Sequence, residues 1–291
     1  MNFTKMHGTG NDFIVVEGGP AGADSTNWPD VARAACDRHF GVGADGILVI
    51  RPSDDAALRM QIFNPDGSEA EMCGNGIRCV TKYALERGIV DGSAIRNEAG
   101  LPIETLGGLM TVWPQNGSVG GAIEAVRVGM GAPILEPREI PVAVNGPGPV
   151  QGHGLEVGGY ALSLSFVSMG NPHAVAFIDT PVADFPLETI GPMVENHPLF
   201  PERVNFEIVN VQSRETITMR VWERGAGLTM ACGTGACAAV VAARIAGFVD
   251  DCVSVELPGG ALTIEWDGNQ DSQVYMTGPA TTVYAGQLLT S

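Results

Sequence analysis

An internal repeat constrains the fold of this chain more than any other feature of its sequence. Residues 60–64 align with residues 219–223 at an offset of 219 − 60 = 159, and the same offset separates Cys73 from Cys232. At an offset of 160, residues 10–11 align with 170–171 and residues 40–49 with 200–209. The repeat predicts two copies of one α/β unit, each of which presents a cysteine from the same structural position.

The length of the chain agrees with two domains. With 291 residues, of which 45% are hydrophobic, the chain can bury a sizeable core in two domains of roughly 150 residues each. We predict an N-terminal domain over residues 1–130, joined by a C-terminal strand within 278–291, and a second domain over residues 131–277. The fold class is therefore α/β (α+β), with two pseudo-symmetric domains.

Hydrophobic patterns place a helix directly after each cysteine. The first, over residues 77–87, carries Arg78, Lys82 and Glu86 and is predicted to be amphipathic. The second, over residues 233–246, has few polar side chains and is predicted to be buried nearly all round. Before Cys73, the patterns predict a helix over 29–38 and strands over 13–16, 47–50 and 58–63.

Charge and composition exclude several classes of partner. Thirty-three acidic and 16 basic residues give a net charge of −17, which disfavours binding to nucleic acid or to an anionic membrane. No apolar run reaches the roughly 18 residues that span a bilayer, and no signal-peptide pattern is present, so we expect a cytoplasmic protein. Six cysteines are too few for a disulfide scaffold in a chain of this length and are expected to be free thiols.

A thiol just before a helix N-terminus lies beside backbone N–H groups and the positive end of the helix dipole, which favour the thiolate. The dipole supplies roughly 0.3–1 kcal/mol, which is less than one pKa unit at about 1.36 kcal/mol per unit. Neighbouring side chains must therefore supply the remaining shift of the thiol pKa. Two of the columns at which the repeats differ are informative, because there an ionisable side chain stands in one repeat only: His173 replaces Phe13 and Glu223 replaces Asn64. Our hypothesis is that His173 and Glu223 set the relative pKa values of the thiols, so that one is a thiolate and the other a thiol.

A thiolate and a thiol on opposite sides of a carbon acid form a two-base site. One removes a proton, the other supplies a proton from the far side, and the centre inverts. Helix N-termini bind carboxylates, so the backbone N–H groups there would stabilise charge on the substrate as its α-proton leaves. The residues that supply these N–H groups are Gly74, Asn75, Gly233 and Thr234.

Motifs along nearly the whole chain resemble those of the diaminopimelate epimerase family. They are Met6-His7-Gly8 with Gly10-Asn11-Asp12-Phe13, Phe63-Asn64 with Asp66-Gly67-Ser68, Cys73-Gly74-Asn75-Gly76 with Arg78-Cys79, Ser168-Met169-Gly170-Asn171-Pro172-His173, Pro201-Glu202-Arg203-Val204-Asn205, Glu223-Arg224-Gly225-Ala226-Gly227 and Ala231-Cys232-Gly233-Thr234-Gly235-Ala236-Cys237. Together these motifs are highly specific.

The resemblance implies a reaction, a fold and a set of site residues. The reaction is the cofactor-independent interconversion of LL-2,6-diaminopimelate and its meso form, in lysine and peptidoglycan precursor biosynthesis. The fold is a pair of strand-rich mixed sheets or barrels, each around a central helix. The acid/base pair is Cys73 and Cys232, tuned by His173 and Glu223. The implied substrate-binding residues are Asn11, Asn64, Gly74, Asn75, Asn171, Asn205, Glu223, Arg224, Gly233 and Thr234.

One position departs from the family pattern, and the usual cofactors fit poorly. Some members carry a substrate-contacting glutamine where this chain has Gly46, so a side-chain contact is not expected there. Pyridoxal phosphate needs a Schiff-base lysine, and the only lysines are Lys5 and Lys82. No CxxC pair or HExxH motif predicts a metal site, so we expect neither metal nor cofactor.

Other functions stay open at this point. The stretch 41–46 matches GxGxxG but follows a helix, and 233–238 matches GxGxxA but lies about nine residues beyond the preceding strand, which disfavours a nicotinamide oxidoreductase. A redox sensor could join Cys73 to Cys232. Cofactor-free proline racemases also use paired cysteines, but Arg224 and the asparagines favour the longer, two-ended substrate. The sequence leaves open whether the chain forms a homodimer.

Several candidate residues also have an ordinary structural interpretation. Asn11, Asn64 and Asn205 could each cap a turn, His173 could be a core histidine, and Glu223 with Arg224 could form a surface ion pair.

Overall fold

A computed structural model of the chain describes residues 1–20, 24–91, 99–115 and 122–289. The chain divides into two compact units, Met1–Gly129 with Thr277–Ser291, and Met130–Met276. Both units combine mixed β-structure with two α-helices each within the described residues. The α/β class predicted from the repeat is confirmed.

The N-terminal stretch of the first unit, Met1–Gly129, has two helices and eight strands among the described residues. The strands are β1 (Asn2–Gly8), β2 (Asn11–Glu17), β3 (Gly46–Arg51), β4 (Leu58–Phe63), β5 (Glu69–Ala70), β6 (Leu101–Thr105), β7 (Gly108–Gln115) and β8 (Ala125–Gly129), and the helices are α1 (Trp28–Cys36) and α2 (Gly74–Glu86). The β2–β3 and β4–β6 pairs are parallel, whereas β1–β2, β3–β4, β6–β7 and β7–β8 are antiparallel.

The second unit repeats this order after one additional strand at its start. Its strands are β9 (His153–Val157), β10 (Tyr160–Ser168), β11 (Pro172–Phe177), β12 (Asn205–Ser213), β13 (Thr216–Glu223), β14 (Gly227–Leu228), β15 (Cys252–Leu257) and β16 (Gly260–Glu265), and its helices are α3 (Leu187–Glu195) and α4 (Gly233–Ile245). Here β11–β12 and β13–β15 are the parallel pairs. His173 lies opposite Asn205 in the second unit, as Phe13 lies opposite Gly46 in the first.

The chain returns to the first unit at its C-terminal end. Strand β17 (Tyr275–Pro279) leads back from the second unit, and β18 (Thr281–Gln287) pairs antiparallel with β1. The first unit is therefore built from two separate stretches of sequence, whereas the second is continuous.

Helices α2 and α4 are the buried helices that follow the two cysteines. Each has 13 residues, and their first residues are 233 − 74 = 159 positions apart. Helix α2 contacts β1–β4, β7 and β8, and α4 contacts β10–β12, β15 and β16, so each helix is enclosed by strands of its own unit. The prediction that α4 is buried nearly all round is confirmed.

The prediction that α2 is amphipathic is wrong. All of its residues from Gly74 to Ala84 are buried, and Arg78 is 0% exposed. Burial is tolerated because the guanidinium of Arg78 donates to the carbonyls of Gly74 and Pro279, both at 3.1 Å. Lys82 is bonded to Glu86 (2.8 Å) and to the carbonyl of Ile123. Satisfied hydrogen bonds thus replace the water that an amphipathic helix would have met.

Among the described residues, no helix has both the length and the apolar character needed to cross a membrane.

Candidate active site

Both cysteines are N-cap residues. Cys73 and Cys232 have extended backbone conformations directly before α2 and α4, and each sulfur accepts a hydrogen bond from a backbone N–H three residues later, Gly76 or Gly235, at 3.4 Å. A side chain in this position satisfies one of the N–H groups that a helix leaves without an intrahelical acceptor. Each thiol is therefore held at the positive end of a helix, as the repeat predicts.

The first turn of α4 requires glycine at position 235. A Cβ atom there would lie 2.8 Å from Oε1 of Glu207 and 3.3 Å from Sγ of Cys232. The first distance is shorter than any ordinary van der Waals contact, so only glycine lets the helix start this close to the carboxylate.

An asparagine oxygen faces Cys73. Asn11 Oδ1 lies 3.7 Å from Sγ of Cys73 and accepts from Nδ2 of Asn75 at 3.2 Å. The amide group of Asn11 is fixed by Asp45, whose carboxylate accepts from Nδ2 of Asn11 at 2.7 Å. Cys73 is partly exposed, and whenever it carries a proton its S–H can donate to this oxygen.

A chain of polar side chains leads away from Cys232. Its sulfur lies 3.5 Å from Oγ1 of Thr234, which accepts from Nδ2 of Asn171 at 3.3 Å. Asn171 Oδ1 lies 3.0 Å from Nε2 of His173, and Nδ1 of His173 lies 2.7 Å from Oε1 of Glu207. His173 and Glu207 are both 0% exposed. The second unit therefore links its thiol to a buried histidine and carboxylate.

The surroundings of Cys232 favour the protonated thiol. Burial raises the pKa of Cys232 well above its ordinary value, and the carboxylates of Glu223 and Glu207 raise it further. The hydroxyl of Thr234 and the N–H of Gly235 lower the pKa, but they do not compensate. The helix N-terminus favours the thiolate, as expected, but only weakly, and desolvation disfavours the charged form of Cys232 more strongly.

The remaining candidates in the second unit lie at the start of β12 and at the end of β13. Asn205 donates to the carbonyl of Pro172 and accepts from the N–H of Arg224, both at 2.9 Å, so it connects the start of β11 with the turn after β13. Glu223 accepts from the hydroxyl of Thr229, and Arg224 Nη1 donates to the carbonyl of Glu202 at 3.2 Å.

Asn64 and Gly46 belong to the first unit. Asn64 closes the turn after β4, where its Nδ2 donates to Oγ of Ser68 at 2.9 Å. At Gly46, a Cβ atom would lie 2.9 Å from the carbonyl oxygen of Phe63. The strand pairing therefore leaves no room for a longer side chain at that position.

Both lysines are engaged within the first unit. Lys5 is bonded to the carbonyl of Gly43 and forms an ion pair with Asp12 at 2.6 Å, and Lys82 is paired with Glu86 as described above. Within the described ranges, no group of three or more His, Cys, Asp or Glu side chains has the geometry to hold a metal ion.

Comparison with known proteins gives the family. A family model described as diaminopimelate epimerase matches residues 3–135 and 165–283. The chain belongs to the diaminopimelate epimerase family. A relative named diaminopimelate epimerase from Pelotomaculum thermopropionicum is 51% identical over 287 residues, covering 99% of this chain and 98% of the relative. Another relative of that name, from Moorella thermoacetica, is 50% identical over 286 residues, covering 98% of each chain.

A solved structure shows that the fold extends beyond this family. The structure of a probable proline racemase from Agrobacterium radiobacter K84 matches with a TM-score of 0.70 and 18% identity, covering 100% of this chain and 93% of that one. At this identity the match concerns the fold alone.

Membership of the diaminopimelate epimerase family agrees with the resemblance found in the motifs. Within the first unit, Cys73 lies close to Asn11 and Asn75. Within the second, Cys232 lies close to Thr234, which contacts Asn171, which in turn contacts His173.

Glu207 was missed in the sequence, although a signal existed. Val175 lies opposite Glu207 in the second unit, as Val15 lies opposite Leu48 in the first, so Glu207 takes the place of an apolar side chain of the repeat. In the sequence this match needs the offset of the two cysteines, 159, in place of the offset of 160 used for residues 40–49.

Proposed function

We propose that this chain interconverts LL-2,6-diaminopimelate and meso-2,6-diaminopimelate without a cofactor, and that Cys73 and Cys232 are its acid/base pair. Membership of the diaminopimelate epimerase family over most of the chain supports the reaction and its place in lysine biosynthesis. The observation that carries the residue assignment is the repeated thiol, held at the start of a buried helix in both units.

The proposed reaction balances without any other reagent. The thiolate of one cysteine takes the proton from Cα and becomes a thiol, while the electron pair of the broken C–H bond is delocalised into the adjacent carboxylate. The S–H of the other cysteine then gives its proton to the opposite side of Cα and becomes the thiolate. The centre is inverted and the roles of the two sulfurs are exchanged. The raised pKa of Cys232 supports Cys232 as the protonated partner in the resting enzyme.

The N-termini of α2 and α4 can bind the substrate carboxylate that is attached to the reacting carbon. Gly74 and Asn75 are the first two residues of α2, and Gly233 and Thr234 are the first two residues of α4. N–H groups at such positions point outward from the helix and bind anions. They would stabilise the charge that develops as the proton leaves, which is the step that limits carbon-acid chemistry.

Diaminopimelate has a second amino-acid centre that does not react. We propose that polar groups away from the two cysteines bind the carboxylate and the ammonium group of this centre. Arg224 can pair with a carboxylate, and Glu223 and the asparagine oxygens can accept from an ammonium group. A one-ended amino acid would leave such groups unpaired at about 1–3 kcal/mol for each buried orphan. This favours diaminopimelate over proline as the substrate.

The alternatives explain fewer of these observations. A dinucleotide site needs a tight turn between a strand and the helix that holds the phosphate, whereas β13 ends at Glu223 and α4 starts at Gly233. A redox sensor gives no reason for the His173 and Glu223 substitutions within the repeat. A cytoplasmic location stays a prediction of the sequence, and homodimer formation stays open.

The assay that tests the reaction compares two substrates. We expect the purified enzyme, without added pyridoxal phosphate or metal, to convert LL-diaminopimelate to the meso form and to leave L-proline unchanged. Chiral chromatography of each product, with boiled enzyme as the control, measures both. Inversion of proline with diaminopimelate untouched would overturn the substrate assignment.

A charge-removing substitution at Glu223 tests its proposed effect on the thiol. Because the carboxylate raises the pKa of Cys232, the Glu223→Gln variant should form the Cys232 thiolate at lower pH than the parent enzyme. The ultraviolet absorbance of the thiolate, titrated with and without the further substitution Cys232→Ala, isolates this one sulfur. Glu256→Gln, which removes an exposed carboxylate from β15, is the matched control. An identical titration curve in the Glu223→Gln variant would remove Glu223 from its assigned role.

A further inference from the structure

A buried histidine–glutamate pair in the second unit has no counterpart in the first. His173 and Glu207 lie on the parallel strands β11 and β12, with Nδ1 and Oε1 at 2.7 Å and both side chains 0% exposed. At the matching positions the first unit has Phe13 and Leu48, which are also buried. Apolar side chains therefore satisfy the packing of this fold at both positions, so packing alone does not account for the histidine–glutamate pair.

The position of Glu207 beside α4 is also unusual. Its Oε1 lies where a Cβ of residue 235 would collide with it, and its Oε2 is buried with no hydrogen-bond partner among the described residues. In the first unit, the corresponding glycine, Gly76, is approached instead by the methyl group of Leu48, 3.0 Å from its ideal Cβ position. A carboxylate buried with one oxygen unsatisfied is costly. Such a cost points to a role in the site rather than in the core.

We propose, on the basis of the function proposed above, that Glu207 is a positioning residue. It holds His173 with a proton on Nδ1 and with Nε2 directed at Asn171. His173 in turn aligns Asn171 and Thr234, which together form a bridge between the histidine and the Cys232 sulfur. A carboxylate that accepts from one ring nitrogen of a histidine fixes both the orientation of the ring and the role of the other nitrogen. The four successive distances from Glu207 to Cys232, 2.7, 3.0, 3.3 and 3.5 Å, form an unbroken path of polar contacts.

The bridge can serve both states of the sulfur without moving a proton along it. With Nδ1 donating to Glu207, Nε2 carries no proton and accepts from the Asn171 amide, turned so that its nitrogen faces the ring. While Cys232 is a thiol, the hydroxyl of Thr234 donates to the amide oxygen and accepts from the S–H; once Cys232 has given its proton to Cα, the hydroxyl turns and donates to the thiolate. Nδ1 donates to Glu207 in both states, so Glu207 anchors the bridge while Cys232 gains and loses its proton.

The test uses the residues of the first unit as replacements. The Glu207→Leu variant removes the acceptor and reproduces the apolar pairing around Leu48, so the fold should be retained. We expect kcat for LL-diaminopimelate to fall at least about 10-fold with little change in KM, because the loss acts on proton transfer and not on substrate binding. Adding His173→Phe to the Glu207→Leu variant should cost little more, because the two residues act as one unit.

A spectroscopic measurement on the free enzyme separates positioning from a purely structural role. The chain has five histidines, so the ring ¹⁵N signals of His173 can be assigned by their absence in the His173→Phe variant. The Nδ1-protonated signal should be present in the parent enzyme and lost in Glu207→Leu, but unchanged in Glu256→Gln. If Glu207→Leu does not fold, Glu207→Gln decides, because an amide can donate as well as accept and should give a mixture of both tautomers.

Two results would overturn the inference. One is a folded Glu207→Leu enzyme that retains its kcat or its Nδ1-protonated signal; the other is full additivity of the two substitutions. Failure of the proposed function looks different, because the parent enzyme would then not epimerise diaminopimelate while its ¹⁵N signal still responded to Glu207→Leu.

Discussion

Replacing either Cys73 or Cys232 with alanine is expected to lower the rate of LL-diaminopimelate epimerisation at least about a hundredfold, because a positioned proton donor or acceptor typically contributes ~10²–10⁴-fold. Both variants should be affected, since each turnover uses one sulfur as base and the other as acid. Following the stereochemistry of the product in heavy water measures inversion and deuterium incorporation at Cα in one experiment.

Cys252→Ala supplies the matched control for these variants. Cys252 is an exposed thiol on β15 outside the helix starts, and its removal should leave the rate within about twofold, as expected for a surface substitution. Full turnover in either the Cys73→Ala or the Cys232→Ala variant would contradict the two-base mechanism. So would inversion of Cα without deuterium incorporation.

Replacing Arg78 with methionine should produce the largest loss of stability among these variants. The guanidinium is 0% exposed and donates to the carbonyls of Gly74 and Pro279, and to the hydroxyl of Thr9 at 3.3 Å. Methionine retains most of the apolar contacts but leaves buried acceptors unsatisfied, so the free energy of unfolding should fall by about 3 kcal/mol. Urea unfolding followed by circular dichroism measures this loss.

Arg87→Met is the control on the same helix. Arg87 lies exposed at the C-terminal end of α2, with its guanidinium 5.5 Å from the ring centroid of Tyr83. An exposed contact of this kind contributes about 0.5–1 kcal/mol. Equal losses of stability in the Arg78→Met and Arg87→Met variants would show that the buried hydrogen bonds of Arg78 contribute little.

The sequence predicts those parts of the fold that are encoded by local pattern and by repetition. The helices after Cys73 and Cys232 were predictable because a cysteine, a glycine-containing turn and a helical run recur at one offset. The apolar composition of residues 233–246 likewise predicted a buried helix.

Burial of charged side chains was not predictable in this way. Arg78 and Lys82 have the spacing of a solvated helix face, and their acceptors, the carbonyls of Pro279 and Ile123, are 201 and 41 residues away in sequence. Local periodicity carries no information about such distant partners.

The pKa values of the candidate site also depend on residues that are distant in sequence, which local patterns do not reveal. The helix N-terminus beside Cys232 is visible in the sequence, and so is its small stabilising effect on the thiolate. The net direction of the pKa was not predictable, because it depends on how completely the folded chain excludes water from the sulfur and on how close Glu223 and Glu207 lie. Glu207 is a single charged residue in a buried strand, and the local pattern does not show that it takes the place of the buried Leu48.

The pairing of β18 with β1 has a consequence for the order in which the chain can fold during synthesis. Residues 130–276 form a unit from one uninterrupted stretch, so they can complete their hydrogen bonding once that stretch has left the ribosome. The other unit cannot close its edge until Thr281–Gln287 has been made, so β1, although synthesised first, is among the last strands to gain its full set of neighbours.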